Sequence, residues 1–374
     1  MTPMTNKTTT STTSTTSTPG PTNSVLDVAG LRVGQASAEA PGALSGTTVV
    51  LAGGDVCPEG MVAGVDVRGG GPGTRETDLL DPRNVVERVH AVCLTGGSAF
   101  GLGAADGVMA ELFARGIGLP MGRPGDVVPL VPAAVIFDLG RGGTFGAHPT
   151  AHTGAAACRA ALSGEQVPLE QGCVGAGRGA KAGGFKGGIG TASAVCADGS
   201  TVAALIVCNS LGEVVAPDGT FHAASALMPE DVAVPGGLGA PSAHELDAAR
   251  SAAAHVPPQP LGMPGLATTI GVVATDAALS KAQCAKLAGV GHDGIAIAVR
   301  PAHTMLDGDT LFGLSTAQRP APDMVGFHEI LTQASLVTAR AIVRAILAAT
   351  TTTTSAGTWR AYREAFPSVF AAAR

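Results

Sequence analysis

The stretch Ala267-Thr268-Thr269-Ile270-Gly271-Val272-Val273-Ala274-Thr275-Asp276 decides how this chain is read. A Pro- and Gly-rich segment, Pro257 to Gly265, runs into two threonines and then a β-branched apolar run. The run predicts a buried strand over Thr268–Ala274. The junction in front of it admits a chemical reading as well. If the Ala267–Thr268 bond breaks, Thr268 gains a free α-amine beside its own hydroxyl, so nucleophile and general base share one residue. An α-amine titrates near about 7.7–8.0 and a lysine side chain near about 10.4, so only the amine is substantially neutral at physiological pH. Thr-Thr before Val-Val is also ordinary strand composition, and the stretch alone does not separate the two readings.

Working outward, composition bounds the answer. The 374 residues are enough for a large core and, by length alone, for two or three domains. Hydrophobic residues make up 45% and aromatics only 3%, with 53 glycines. A core of Val, Ala, Leu and Ile with that much glycine predicts closely packed strands and many tight turns. The net charge is −6 with Lys and Arg scattered, so no basic groove is expected and nucleic acid is not an expected partner.

The seven cysteines, Cys57, Cys93, Cys158, Cys173, Cys196, Cys208 and Cys284, are odd in number and lack CxxC spacing. Several lie in apolar runs such as Val92-Cys93-Leu94, which predicts buried reduced thiols in a cytoplasmic protein. His148 and His152 stand four apart, but Pro149 between them breaks a shared helical face, so no metal and no cofactor is expected. No apolar stretch reaches about 18 residues, so no membrane span is expected. Residues 1–24 are Thr/Ser-rich without the hydrophobic region of a secretory signal and read as a disordered tail.

Between the ends, strands and helices alternate loosely. Strands are expected at Val89–Leu94, Cys173–Gly177, Thr201–Cys208, Ile295–Val299 and Thr310–Leu314. A helix is expected from about Ser98 to Arg115, and another starts at the capping-box spacing of Ser280 and Gln283 and runs toward His292. Met324 to Ala348 repeats apolar residues at helical spacing and should be the longest helix. The five threonines Thr350–Thr354 link it to a short C-terminal segment holding the only Trp and Tyr. Residues 234–267, rich in Pro, Gly and Ala, read as the interior linker, ending at the candidate scissile bond.

Four constellations could carry chemistry. Thr95-Gly96-Gly97-Ser98-Ala99-Phe100-Gly101 reads as strand, glycine turn and helix, but it misses both GxGxxG and GxSxG; helix-on-strand packing or an active-site wall both remain open. Lys186 stands alone among glycines in Gly183-Gly184-Phe185-Lys186-Gly187-Gly188, which reads first as a solvated loop lysine. Asn209 closes an apolar run, where its amide could donate to an oxyanion or simply serve a turn. Asp307 and Asp309 are two apart, so in an extended segment both face one side; an Asp-Gly turn is the equal alternative.

Together and in this order, these pieces resemble the DmpA-type aminopeptidases, which include β-peptidyl aminopeptidases and the endo-type nylon-oligomer hydrolases. The resemblance covers roughly residues 25–372. Its carriers are Val67-Arg68-Gly69-Gly70 through Gly73-Thr74-Arg75-Glu76-Thr77, the run Leu94–Leu102, the loop Lys186–Ser193, Asn209, Thr268-Thr269-Ile270 and Asp307-Gly308-Asp309-Thr310. It implies an α+β fold, a four-layer αββα sandwich like the N-terminal-nucleophile hydrolases, built by one catalytic domain over 25–374. It further implies cleavage before Thr268 into an α chain (1–267) and a β chain (268–374), with αβ units assembling into homo-oligomers, tetramers by preference. By the same resemblance Thr268 attacks the substrate carbonyl, Asn209 stabilises the oxyanion, Asp307 and Asp309 position the Thr268 amine and hydroxyl, and Lys186 adds positive charge nearby. Gly96, Gly97, Ser98 and Phe137 would contact a substrate that is a short peptide, β-peptide or related amide with a free amino end.

Two departures stand out. Many relatives carry Asn before the cleaving Thr, where this chain has Ala267, and some carry a tyrosine where it has Phe137. Ornithine acetyltransferases, of similar fold, cleave at an Ala-Thr bond, so acyl transfer with the same nucleophile is the alternative activity. A folded, uncleaved amide-binding protein is the non-enzymatic alternative.

Overall fold

A computed structural model describes residues 17–53, 59–164, 168–232, 234, 237–253 and 266–371. Two sheets dominate it. One orders five strands as Leu31–Ser37, Gly46–Ala52, Ala91–Thr95, Ala133–Val135 and Thr74–Arg75. The other orders six as Gly188–Val195, Thr201–Cys208, Ile270–Ala277, Thr310–Arg319, Met61–Val67 and Arg88–Val89.

Residue alternation explains how these sheets stack. Along Thr201–Cys208, Val202, Ala204 and Ile206 belong to a core shared with helices Lys281–Ala298 and Met324–Ala348. Ala203, Leu205 and Val207 belong to a second core, where they meet Val33, Val50, Val92 and Leu94 of the five-stranded sheet. The opposite face of that sheet, with Val49, Leu51, Ala91 and Cys93, packs in a third core on helices Ala104–Phe113 and Ala151–Ser163. Period-two burial on both faces of both sheets therefore gives three cores between four layers, helix, sheet, sheet, helix. This is the αββα sandwich that the resemblance implied.

Small residues make the layers fit. A Cβ added at Gly313 would lie 2.0 Å from the Cys284 carbonyl oxygen, so glycine there lets helix Lys281–Ala298 lie directly on the strand. That helix is also the crossover joining the parallel strands Ile270–Ala277 and Thr310–Arg319.

Several expected elements fall where the sequence placed them. Thr201–Cys208 is a strand and Met324–Ala348 is the longest helix, with the bounds expected. That 25-residue helix is apolar enough over an 18-residue window to cross a membrane, yet 72% of that window is buried. It packs against the six-stranded sheet as a core helix, which corrects the expectation that no stretch of such length exists.

Other expectations need correction. Ile295–Val299 is not a strand: the helix capped by Ser280 continues to Ala298, because its β-branched residues face the core of a helix already under way. Cys173–Gly177 is not a strand either; Gly175–Gly177 forms a 3-10 turn beneath Thr48. The region Ser98–Arg115 is two helices, Ser98–Gly101 and Ala104–Phe113. The interior linker contains a helix, Ala243–Ala253, and its Pro257–Gly265 part lies outside the described residues. Thr352–Thr354 pairs with Gly357–Trp359 in a hairpin instead of forming a plain link.

The tail boundary also moves. Thr18 bridges Val195, and Asn23 is buried with its amide donating to the Asp231 carboxylate at 2.9 Å. Arg340, fully buried, holds that carboxylate through Nε at 2.7 Å and Nη2 at 3.0 Å, and donates to Asn23 Oδ1 at 2.9 Å. Residues 17–24 therefore belong to the folded body, recruited by a buried ion pair that polarity alone does not reveal.

Candidate active site

The candidate scissile peptide lies in a gap between two strand ends. Strand Thr201–Cys208 pairs antiparallel with Ile270–Ala277, Val207 opposite Ile270. The pairing runs on beyond the strands: Thr268 N–H donates to the Asn209 carbonyl at 2.7 Å. On the other side Thr310 pairs with Ile270 in parallel, and the ladder again continues backward. Thr310 N–H donates to Thr269 O at 3.1 Å, Gly308 N–H to Ala267 O at 3.0 Å, and Ala267 N–H to Leu306 O at 3.1 Å. Ala267 and Thr268 are thus held as a strand extension and are buried. The Thr268 hydroxyl lies 2.5 Å from the Ala267 carbonyl oxygen.

The two acids do different things. Asp309 is buried; its Oδ1 accepts from Thr269 N–H at 2.7 Å. Its Oδ2 accepts from His303 N–H at 3.2 Å and faces His303 Nδ1 at 2.7 Å. Asp307, equally buried, turns its Oδ2 to the amide and hydroxyl of Thr304, at 2.9 and 2.6 Å. The Asp307 carboxylate therefore ties the loop that presents Gly308 to Ala267. Gly71 N–H donates to the Asp307 carbonyl, and Arg68 N–H to that of Asp309, so the Val67–Gly73 loop supports the acid loop from behind.

Asn209 is buried and its amide is oriented by two donors. Its Oδ1 accepts from Arg141 Nη1 at 2.6 Å and from Lys181 N–H at 3.1 Å. Its Nδ2 makes only a long contact, 3.4 Å, to the Phe137 carbonyl. Burial draws the Arg141 guanidinium down to about 10, against the opposing attraction of Asp138. Asp138 is buried next to Ser45 and accepts from Gly97 N–H at 2.7 Å. Burial pushes its carboxyl above the usual range, although Ser45, Gly97, Arg141 and Lys186 all pull the other way. Through this chain Gly96, Gly97 and Ser98, at the start of a short helix, join the same neighbourhood as Phe137 and Asn209.

Lys186 is not a solvated loop lysine. It is fully buried in a two-stranded hairpin, Lys181–Ala182 with Phe185–Lys186. Its Nζ donates to the carbonyls of Ala180 at 2.9 Å, Gly187 at 3.1 Å and Gly177 at 3.3 Å. Burial lowers it to about 8, with Cys173 opposing and the Arg141 charge adding to the effect. The glycines around it allow backbone carbonyls to converge on the ammonium, a role that composition does not distinguish from a flexible loop.

Three groups here escaped the sequence reading. His303 and Arg141 are single polar residues in loops, and the N–H of Gly308 is invisible in any side-chain pattern. The one available signal was Arg141 standing among glycines in Gly140-Arg141-Gly142-Gly143, the same context that drew attention to Lys186. Among the described residues no group of three His, Cys, Asp or Glu is placed to hold a metal ion.

The four-layer sandwich narrows the class, and comparison supplies its name. The chain belongs to Peptidase family S58, whose model matches residues 23–360, which makes it by class a peptide hydrolase. It is 43% identical over 365 residues to an uncharacterized aminopeptidase of Mycobacterium tuberculosis, covering 93% of this chain and 99% of the relative. It is 29% identical over 313 residues to a 6-aminohexanoate-oligomer endohydrolase of Paenarthrobacter ureafaciens, covering 80% of this chain and 77% of the relative. In fold it matches a Burkholderia sp. beta-aminopeptidase with a TM-score of 0.67 at 23% identity, over 94% of this chain and 96% of that one. It also matches the L-aminopeptidase D-Ala-esterase/amidase from Ochrobactrum anthropi, titled a variant of the Ntn hydrolase fold, with a TM-score of 0.66 at 22% identity over 92% of each chain. The DmpA-type resemblance and the N-terminal-nucleophile-type architecture both stand.

Proposed function

We propose that this chain is a self-processing aminopeptidase whose nucleophile is Thr268. The observation that carries the reading is the grip on one peptide bond: the Ala267 carbonyl bonded by Gly308 N–H, the Thr268 N–H bonded to Asn209, and the Thr268 hydroxyl against that carbonyl. In the precursor, Thr268 Oγ1 attacks the Ala267 carbonyl carbon while Gly308 N–H stabilises the charge developing on its oxygen. As the C–N bond breaks, the Thr268 nitrogen takes up the proton that Oγ1 gives up, leaving an ester between Ala267 and Thr268 Oγ1, and water then hydrolyses that ester. The products are chains 1–267 and 268–374, and the second begins with a free amine.

That amine takes the Oγ1 proton when Thr268 attacks a substrate carbonyl. Two donors remain for the substrate oxyanion: Gly308 N–H, freed from Ala267, and the Asn209 amide, which Arg141 and Lys181 orient by occupying its oxygen. Gly96–Ser98 and Phe137 form the neighbouring wall against which the substrate lies. Relatives titled aminopeptidase, beta-aminopeptidase and 6-aminohexanoate-oligomer endohydrolase support short peptides and amides of β- or ω-amino acids as the substrate class. The test is hydrolysis of a panel of aminoacyl and β-aminoacyl p-nitroanilides by wild type, Thr268→Ala and Thr268→Ser. Turnover that survives in Thr268→Ala would remove Thr268 from the mechanism.

A further inference from the structure

The pair formed by His303 and Asp309 has no role in the steps above. His303 Nδ1 lies 2.7 Å from Asp309 Oδ2, and its Nε2 lies 3.3 Å from the carbonyl oxygen of His292. A carboxylate and a peptide carbonyl only accept hydrogen bonds, so both contacts are made together only when both ring nitrogens carry hydrogen. His303 is mostly buried, with 17% of its side chain exposed, while Asp309 is 2% exposed. The other face of the same carboxylate holds the N–H of Thr269, the residue after the nucleophile.

We propose that His303 is a positioning residue held as an imidazolium, which neutralises Asp309 and so keeps the α-amine of processed Thr268 unprotonated and able to act as base. This rests on the proposed N-terminal threonine. Asp309 bonds the N–H one residue beyond that amine, and a bare carboxylate so near favours the ammonium form, in which the amine cannot accept the proton of Oγ1. Pairing Asp309 with a cation removes that bias without removing the hydrogen bond that fixes Thr269.

The surroundings agree. The groups facing His303 are Asp309, the edge of His292 with ring centroids 4.9 Å apart, and Arg68. Burial works against the imidazolium, but the Asp309 contacts outweigh it and hold His303 above its ordinary range. His292 is driven by burial to about 4 and is neutral at working pH; its Nε2 lies 2.9 Å from the Asp66 carbonyl. Arg68 is committed to Asp66 at 3.0 Å and Asp293 at 3.5 Å. Among the described residues, His303 is thus the cation that directly contacts Asp309.

His303→Asn separates charge from hydrogen bonding. Its φ of 58° is left-handed, which asparagine tolerates, and an amide can donate where Nδ1 does now. Intact mass and Thr268→Ala first establish processing and the nucleophile in the wild type. The acid limb of kcat/KM, measured with an aminoacyl p-nitroanilide, should then move up by about one pH unit in His303→Asn, with activity on the alkaline plateau retained. A merely structural role would lower activity by one factor at every pH, and that result, or an unmoved limb, overturns the inference while leaving the nucleophile in place. An uncut wild-type chain overturns both. Independently of any variant, the 15N signals of His303 in the wild type at pH 7 should show both ring nitrogens protonated, and a neutral ring there contradicts the proposal.

Discussion

The amide nitrogen of Gly308 lies 3.0 Å from the carbonyl oxygen of Ala267. The residue between the two acids thus grips the candidate scissile bond, and the acids shape the loop that delivers it. Asp307 does so by capping Thr304, and Asp309 by bridging Thr269 and His303.

Gly308→Ala should slow self-cleavage. The added Cβ would lie 2.7 Å from the Gly71 carbonyl and 2.8 Å from Thr268 Oγ1, so the loop must shift away from Ala267. A displacement on the order of 1 Å costs about 100-fold in a positioned reaction, and a 10- to 100-fold slower conversion is expected. Time courses on denaturing gels measure it, and wild-type conversion would contradict it.

Arg141→Ala should lower kcat about 10- to 100-fold while KM stays within about threefold, because Asn209 loses the guanidinium that orients its amide. Arg141→Lys should recover part of the loss. A change confined to KM would assign Arg141 to substrate binding instead.

Cys173 should be the first to react with iodoacetamide among the six described cysteines. Burial opposes its ionisation, but the Lys186 charge and the contacts from Thr350 hold its thiol below the ordinary range. Cys93, Cys158, Cys196, Cys208 and Cys284 are each pushed up to about 12, with burial the leading cause. Peptide mapping after brief alkylation at pH 8 checks the order.

Asp231→Ala should destabilise the protein by about 3–5 kcal/mol, since it strands the buried Arg340 guanidinium. Burial raises the Asp231 carboxyl, but the Arg340 contacts outweigh it and its native value lies below the unfolded one. Its contribution is therefore complete above about pH 4 and is lost as pH falls through the native value. Urea midpoints at pH 5 and pH 3 should converge toward those of Asp231→Asn in acid. Parallel curves would contradict the linkage.

Local pattern carried much of the fold. Strand Thr201–Cys208 was legible as a short unbroken apolar run and helix Met324–Ala348 by its long helical period. Ile295–Val299 misled because a helix end rich in β-branched residues looks like a short strand. At the candidate site, pattern alone left Thr268, Asn209, Asp307 and Asp309 open between chemistry and ordinary strand or turn roles, and the family resemblance singled them out. Their division of labour was not legible, because it depends on partners distant in sequence or on backbone N–H groups. Arg141 reaches Asn209 across 68 positions, and Lys186 finds its carbonyls only once its hairpin closes.

The central claim is that Thr268 cuts the bond before it, and intact-mass spectrometry under denaturing conditions tests this most directly. Wild-type protein, run beside Thr268→Ala, should separate into two chains divided between Ala267 and Thr268, with the variant remaining whole. A wild-type chain that stays at 36.7 kDa, or a variant that is cut at the same bond, would contradict it.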